Sequence, residues 1–183
     1  MAGQLRIIGG RWRGRRLTFP DAGGVRPTAD RVRETLFNWL QTAVPGARCL
    51  DLFAGSGALG LEALSRGAAE VVFVERDRRL AGRLRDNLAT LEAAGAEVLQ
   101  RDAEAYLNGP PRPFDLVFLD PPFRHGALGP LCARLAEGGW LAPRARIYLE
   151  GEAEAGLPPL PAGWEVLRSK KAGQVGYHLA VAP

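Results

Sequence analysis

The sequence predicts an α/β fold with a mostly parallel sheet and helices on both faces, for three reasons. Short apolar segments rich in β-branched residues alternate with amphipathic segments of helical period. One segment, FDLVFLD, is almost continuously apolar, as expected for a strand covered on both faces. A glycine-rich turn, DLFAGSGALG, joins the first such strand to a helix. With 183 residues, 46% of them hydrophobic, the chain suffices for one compact domain.

The predicted elements follow one another in a regular order. The segment TADRVRETLFNWL is an amphipathic helix with Thr28 as its expected cap. Further helices are expected in GALGLEALSRG, after Asp77, and from about Gly126 to Glu137. They alternate with five predicted strands, ARCLDLF, EVVFVE, AEVLQ, FDLVFLD and ARIYLEG. Two final strands, WEVLRSK and VGYHLAV, are joined by the short AGQ connection, which predicts a C-terminal antiparallel hairpin.

Positive charge is concentrated at the N-terminus. The chain carries a formal charge of +4, and residues 1–33 contain eight Arg against two Asp, a surplus of six that leaves the remainder at minus two. We therefore predict a basic RNA-binding arm at 1–27 and a catalytic domain at 28–183. A basic hairpin that simply packs against the domain is the alternative. The predicted RNA-binding residues are Arg6, Arg11, Trp12, Arg13, Arg15, Arg16, Arg26, Arg31 and Arg33.

Several classes of protein are not expected from this sequence. Cys49 and Cys132 are isolated and belong to no Cys/His cluster, so we expect neither a disulfide framework nor a bound metal. The start of the chain lacks the apolar stretch of a signal peptide, and no later segment approaches the length of a membrane span. We expect a cytoplasmic monomer without membrane contact.

Three acids at successive strand ends indicate the ligand of the glycine turn. Asp51 lies inside a strand and needs a cationic partner, Glu75 can accept both hydroxyls of a ribose, and Asp102 can bond an adenine amine. An amino group, a ribose and an adenine without a pyrophosphate describe S-adenosylmethionine. The open alternatives are acids bonded to local backbone or solvent, and NAD as ligand. The predicted cofactor-binding residues are Asp51, Phe53, Gly55, Ser56, Gly57, Glu75, Arg76, Asp102 and Ala103.

The hexapeptide FLDPPF indicates the chemistry. It ends the strand that lies beside the first strand across the switch point of the sheet. A carboxylate and a proline carbonyl there can accept both N–H groups of an exocyclic amine and steer its lone pair toward a methyl group. The aromatic ring can stack on a base flipped out of its helix. The predicted catalytic residues are Asp120, Pro121, Pro122 and Phe123, while His125 is either a proton acceptor or a capping residue.

Six segments resemble those of one enzyme family: RIIGGRWRGRRL, RPTADRVRETLFNWL, LDLFAGSGALGLEALSRGA, VERD, FLDPPF and GQVGYHL. Together they are similar, nearly end to end, to the RsmD family of bacterial 16S rRNA guanine-N2 methyltransferases. The resemblance implies a seven-stranded, Rossmann-like class I methyltransferase fold and S-adenosylmethionine as methyl donor. It also implies 16S rRNA within an assembled 30S subunit as substrate.

Two alternative functions remain open at this point. A DNA or RNA adenine-N6 methyltransferase would use the same acceptors for the target amine. A non-catalytic RNA-binding assembly factor would keep the basic arm without needing Asp120.

The Phe after the two prolines, where some relatives have Tyr, removes a hydroxyl that could form a hydrogen bond.

Overall fold

A seven-stranded sheet forms the centre of the computed structural model, which describes residues 3–21, 28–122 and 126–183. The strand order is β5-β4-β3-β6-β7-β9-β8, and β9 runs antiparallel to both of its neighbours while the other pairs are parallel. The predicted parallel sheet with a C-terminal hairpin is therefore confirmed. The elements are β1 (Gly3–Arg6), β2 (Arg16–Phe19), α1 (Asp30–Trp39), β3 (Arg48–Asp51), α2 (Ala58–Ser65), β4 (Glu70–Val74), α3 (Arg78–Thr90), β5 (Ala96–Leu99), α4 (Ala103–Leu107), β6 (Phe114–Leu119), α5 (Leu128–Glu137), β7 (Leu141–Glu152), β8 (Glu165–Ala172) and β9 (Val175–Val181).

Helices cover both faces of the sheet, as predicted. One core cluster joins side chains of α1, α2 and α3 to one face, and a second joins α4 and α5 to the other. Strand β6 passes between the two clusters with every side chain buried except Asp115. This double burial explains its almost continuous apolar sequence.

Local sequence accounts for the start of α3 but not for the start of α1. The Asp77 carboxylate caps α3 by accepting hydrogen bonds from the backbone N–H groups of Arg79 (2.9 Å) and Leu80 (3.1 Å). Helix α1 begins at Asp30 with Ala29 at the cap position, and no side chain caps it. The prediction that Thr28 is the cap is therefore wrong. The Thr28 side chain is buried, and its carbonyl accepts a hydrogen bond from Arg33.

The N-terminal strands β1 and β2 form a separate two-stranded antiparallel hairpin. Its apolar side chains share one core cluster with α1, α2 and α3: Leu5, Ile7, Trp12, Leu17 and Phe19. The described part of the predicted arm is thus packed against the domain, as in the alternative interpretation of the sequence. The boundary predicted between residues 27 and 28 adjoins residues 22–27, which lie outside the described residues.

One buried carboxylate joins this hairpin to the helices. Glu62 on α2 is fully buried and accepts four hydrogen bonds, two at each oxygen. Two come from the backbone N–H groups of Ile8 (3.0 Å) and Gly9 (2.9 Å) in the hairpin. Two come from the guanidinium groups of Arg33 (3.2 Å) and Arg66 (2.7 Å). Since a carboxylate offers about four lone-pair sites, Glu62 is saturated.

Within the described ranges, no helix is both long and apolar enough to cross a membrane. The same residues contain no group of three or more His, Cys, Asp or Glu side chains placed to hold a metal ion. Cys49 and Cys132 are buried free thiols.

The Glu62 network predicts a large loss of stability on Glu62→Gln. The amide would turn an NH2 donor toward existing donors, and the buried Arg33 guanidinium would keep only Asp30 as a charge partner. We expect the free energy of unfolding to fall by about 3–5 kcal/mol, measured by urea denaturation. Glu104→Gln, a change on the exposed face of α4, is the matched control. A loss for Glu62→Gln no larger than the control's would contradict the prediction.

Candidate active site

The turn between β3 and α2 gives each of its three motif glycines a separate role. Gly55 and Gly57 have φ values of +57° and +84°, in the left-handed region that favours glycine. Gly57 also occupies the cap position of α2. A Cβ on Gly60 would overlap the Phe73 ring of β4, so this glycine allows the helix to pack closely on the sheet. The turn therefore presents a helix N-terminus at the carboxyl edge of the sheet.

Asp51 lies beneath this turn and is buried. One of its oxygens accepts a hydrogen bond from the backbone N–H of Gly60 at 3.0 Å. Burial is the main cause that raises the pKa of Asp51 to about 7. The hydrogen bond from Gly60 lowers this pKa, and the negative charge of Glu75 raises it further. A cation bound here would stabilise the ionised carboxylate, so the position fits the ammonium group of the predicted cofactor.

Glu75 follows the last residue of β4 and fixes the glycine turn from the side. Its two oxygens accept hydrogen bonds from the backbone N–H groups of Gly55 (2.9 Å) and Asp77 (2.7 Å). These bonds orient the half-buried carboxylate toward the carboxyl edge of the sheet. Because each oxygen can accept a second hydrogen bond, the carboxylate can still accept from a diol.

The remaining predicted cofactor-binding residues border the same edge. Asp102 is exposed and caps α4 by accepting a hydrogen bond from the backbone N–H of Glu104 at 3.2 Å. Asp102 therefore caps the helix, as in the local interpretation of the sequence, and its contact with adenine stays a prediction. Phe53 is half-buried, Ser56 and Ala103 are buried, and Arg76 is exposed.

Asp120 directly follows β6, the strand that pairs with β3. Asp51 lies opposite Phe118, so Asp120 stands one strand across and two residues further toward the carboxyl edge. Its side chain is half-buried, Pro121 is buried and Pro122 is exposed. The predicted acceptor and the glycine turn thus meet at one edge. Phe123 and His125 lie outside the described residues.

Sequence reasoning missed another buried acid at this edge, Glu150 on β7. The pairing of Leu119 with Leu149 places Glu150 beside Asp120. The Tyr148 hydroxyl donates a 2.6 Å hydrogen bond to Glu150. Burial, together with the charges of Glu150 and Asp120, raises the pKa of Tyr148 well above its ordinary value and keeps it a donor. The signal was present in ARIYLEG, where an acid ends an apolar strand as Glu75 does.

Two of the predicted RNA-binding residues lie in the interior. Arg33 is 1% exposed and pairs with Glu62, because the hairpin closes over α1. Trp12 is 7% exposed, and its backbone N–H bonds the Ser65 hydroxyl at 3.0 Å. Neither side chain is presented to a nucleic acid, so we leave both out of the proposed RNA surface. Exposed on the surface are Arg6, Arg11, Arg13, Arg15, Arg16 and Arg31, and Arg26 lies outside the described residues.

The tip of the hairpin lies far from the carboxyl edge. Helix α2 leaves the carboxyl end of β3 and runs back to the edge where β4 begins. The backbone N–H of Arg11 donates to the carbonyl of Ser65, the last residue of α2, at 2.9 Å. The backbone of Arg11 at the hairpin tip therefore lies near the amino edge, on the opposite side from Asp120.

Comparisons with known proteins agree with this architecture. A family described as Conserved hypothetical protein 95 matches residues 5–181. Ribosomal RNA small subunit methyltransferase D of Escherichia coli strain K12 is 55% identical over 178 residues, covering 97% of this chain and 90% of that protein. The solved structure of yhhF from Escherichia coli is 53% identical, with a TM-score of 0.93 and 98% of each chain covered. SMU.776, solved as a complex with SAH, shares the fold at 15% identity and a TM-score of 0.69, with 91% of this chain and 54% of that chain covered.

The geometry at Glu75 predicts weaker cofactor binding on Glu75→Ala. The change removes a charged acceptor and releases the Gly55 N–H that holds the turn. We expect affinity for S-adenosylhomocysteine to fall by about 1.5–3 kcal/mol, measured by titration calorimetry. The control is Glu97→Ala, which removes an exposed acid from the neighbouring strand β5. Unchanged affinity in Glu75→Ala would remove Glu75 from the site.

The raised pKa of Asp51 predicts pH-dependent binding. An acid with a pKa of about 7 is largely protonated below that value, and pairing with an ammonium group requires the ionised form. Binding should therefore release a proton, and affinity should fall by up to about tenfold per pH unit as pH drops below 7. Calorimetry between pH 5.5 and 8 in buffers of different ionisation enthalpy measures both effects. In Asp51→Asn we expect weaker binding without this slope. Affinity independent of pH in the parental protein would refute the pairing.

Proposed function

We propose that this chain, which belongs to the Conserved hypothetical protein 95 family, the RsmD family of rRNA methyltransferases, methylates the exocyclic N2 amine of one guanine in 16S rRNA. The methyl donor is S-adenosylmethionine. The observation that carries the proposal is the meeting of Asp51, Glu75 and Asp120 around the glycine turn at one edge of the sheet. Membership of the family supports rRNA as the substrate.

Each polar group of S-adenosylmethionine has a candidate partner among the residues around the glycine turn. Asp51 pairs with its ammonium group, since a buried carboxylate with a raised pKa gains most from a cationic partner. Glu75 accepts from the ribose hydroxyls while two backbone N–H groups hold it in place. Asp102 accepts from the adenine amine at the end of β5. When bound, S-adenosylmethionine supplies an electrophilic methyl group on a sulfonium.

Asp120 and the two prolines prepare the target amine for attack. The lone pair of an amine conjugated to a heteroaromatic ring is delocalised, so the amine is a poor nucleophile. Asp120 accepts one N–H, and a carbonyl of Pro121 or Pro122 accepts the other, which aims the lone pair at the methyl carbon. As the N–C bond forms, the C–S electron pair remains on sulfur, and the amine proton leaves to Asp120 or to solvent. Phe123 stacks on the flipped base.

The two neighbouring acids Asp120 and Glu150 support guanine as the target base. Guanine presents neighbouring N1–H and N2–H donors on its Watson–Crick edge, whereas adenine presents an N6 donor beside the N1 acceptor. Asp120 and Glu150 are neighbours in the register of β6 and β7, and two acids at one edge favour the donor-rich edge of guanine. Adenine-N6 methylation is the second candidate because Asp120 would accept its amine equally well.

The setting of the reaction follows from this substrate. We propose that the target guanine is modified within the assembled 30S subunit, in the cytoplasm, by a monomer. An assembly factor without catalytic activity would have no use for Asp120 or for a complete set of cofactor acceptors, so we favour the enzyme.

The proposal predicts that Asp120→Ala loses methyl transfer but keeps cofactor affinity. If its hydrogen bond strengthens in the transition state, the single-turnover rate should fall by about two orders of magnitude or more. Asp120→Asn should be less impaired, because the amide keeps one acceptor oxygen. Rates are measured with labelled S-adenosylmethionine and saturating small subunits that lack the modification. Asp115→Ala, at the opposite end of β6, is the control. A parental rate in Asp120→Ala would place the amine acceptor elsewhere.

A further inference from the structure

Strand β8, at the edge of the main sheet, carries an exposed cluster of positive charge. All of its residues from Glu165 to Lys171 are exposed to solvent. They include Arg168 and, side by side, Lys170 and Lys171, which are the only two lysines among the 24 basic residues of the chain. We call Arg168, Lys170 and Lys171 the β8 cluster. The segment WEVLRSK predicts only a strand for Arg168 and Lys170, and it ends before Lys171.

The β8 cluster contrasts with five arginines of the described ranges that have acidic partners. Arg6, Arg33, Arg48, Arg66 and Arg112 each lie within 4.0 Å of a carboxylate. Within the part of the chain that the structure describes, none of the three β8 cations forms an ion pair. Their charges are therefore available to an anionic partner.

Strand pairing places the cluster at the same edge as Asp120. Strand β8 runs parallel to β7, because both are antiparallel to β9. Lys170 pairs with Tyr177, and Tyr177 pairs with Glu150, which stands beside Asp120. Lys170 is thus three strands from Asp120, or about 14 Å at the usual strand spacing. The Arg residues at the hairpin tip lie at the opposite edge.

The three side chains of the β8 cluster lie on two different faces of the strand. Residues paired across neighbouring strands project on the same face of a sheet. Arg168 is paired with Leu179 and Lys170 with Tyr177, so both side chains lie on the face that carries Asp120 and Glu150. Lys171 projects on the other face, near the hairpin turn at Gly173. An RNA strand crossing this corner meets cations on both sides.

We propose that the β8 cluster binds phosphates of the RNA beside the target base. This inference rests on the proposed rRNA substrate and adds the surface that holds it at the catalytic edge. The cations, lacking acidic partners, match a polyanion, and neutralising phosphates releases counterions. A lysine-bearing edge strand also discourages sheet-to-sheet aggregation, and Val166 and Leu167 give β8 some exposed apolar surface that a protein could contact. Both alternatives are outcomes of the test.

The test compares the parental protein with Arg168→Gln/Lys170→Gln/Lys171→Gln. Binding to unmodified small subunits and to deproteinised 16S rRNA is measured across a range of salt concentrations, together with methyl transfer. The slope of log affinity against log salt should shrink by about 0.7 for each phosphate that the variant no longer neutralises, or roughly 2 for three cations. Cofactor affinity should stay at the parental value.

Two control variants give the comparison its reference points. Arg144→Gln removes one exposed charge near the amino edge and should leave the slope unchanged. Lys170→Arg/Lys171→Arg keeps both charges and should retain the parental slope. Because all of the replaced side chains are exposed, thermal melting should be unchanged in every variant.

The outcomes separate this inference from the proposed function. Absence of methyl transfer by the parental protein would remove the proposed function. Transfer by the parental protein with an unchanged slope in the triple variant would overturn the β8 proposal alone. A reduced slope on subunits but not on free RNA would assign the surface to a ribosomal protein. An unchanged slope with self-association of the triple variant would mean that the lysines of β8 prevent sheet-to-sheet aggregation. Assignment to a ribosomal protein and self-association would each refute phosphate binding.

Discussion

The site depends on two carboxylates that hold one glycine turn. Asp51 accepts from Gly60 below the turn, and Glu75 accepts from Gly55 beside it, so the loop that would touch the cofactor is fixed before any ligand arrives. The arrangement has a cost, because burial raises the pKa of Asp51 to about 7. A bound ammonium group would offset that cost. The same acids therefore build the pocket and select what enters it.

Patterns local to each segment predicted most of the sheet and most of the candidate site. In the sequence, an apolar strand ends at each of Asp51, Glu75 and Asp120. The positions of these acids follow directly, because parallel strands bring their carboxyl ends to one edge. Local patterns could not reveal contacts between distant segments. In the sequence, Glu62 is a polar residue in an apolar helix. In the structure, its carboxylate accepts hydrogen bonds from backbone N–H groups more than 50 residues away. For the same reason, Arg33 was expected to be a surface cation but is a buried partner of that carboxylate.

The placement of charge also changes the picture of how RNA meets the protein. Composition drew attention to the N-terminal arginines, but the hairpin buries its aromatic and apolar side chains and places its tip at the amino edge of the sheet. The β8 strand contributes fewer cations, and these stand at the edge that carries Asp120. Because the proposed substrate, a ribosomal subunit, is much larger than this domain, basic groups at both edges can contact it. Those near Asp120 would position the target base, whereas those at the hairpin tip would add affinity.

Transfer of a labelled methyl group to small subunits that lack the modification, followed by nucleoside analysis, determines whether this protein methylates guanine. The RNA is digested after the reaction, and the labelled nucleoside is identified by its chromatographic and mass properties. Our account predicts that all label is in N2-methylguanosine from a single position of 16S rRNA. Label in N6-methyladenosine, or no transfer from S-adenosylmethionine, would contradict it.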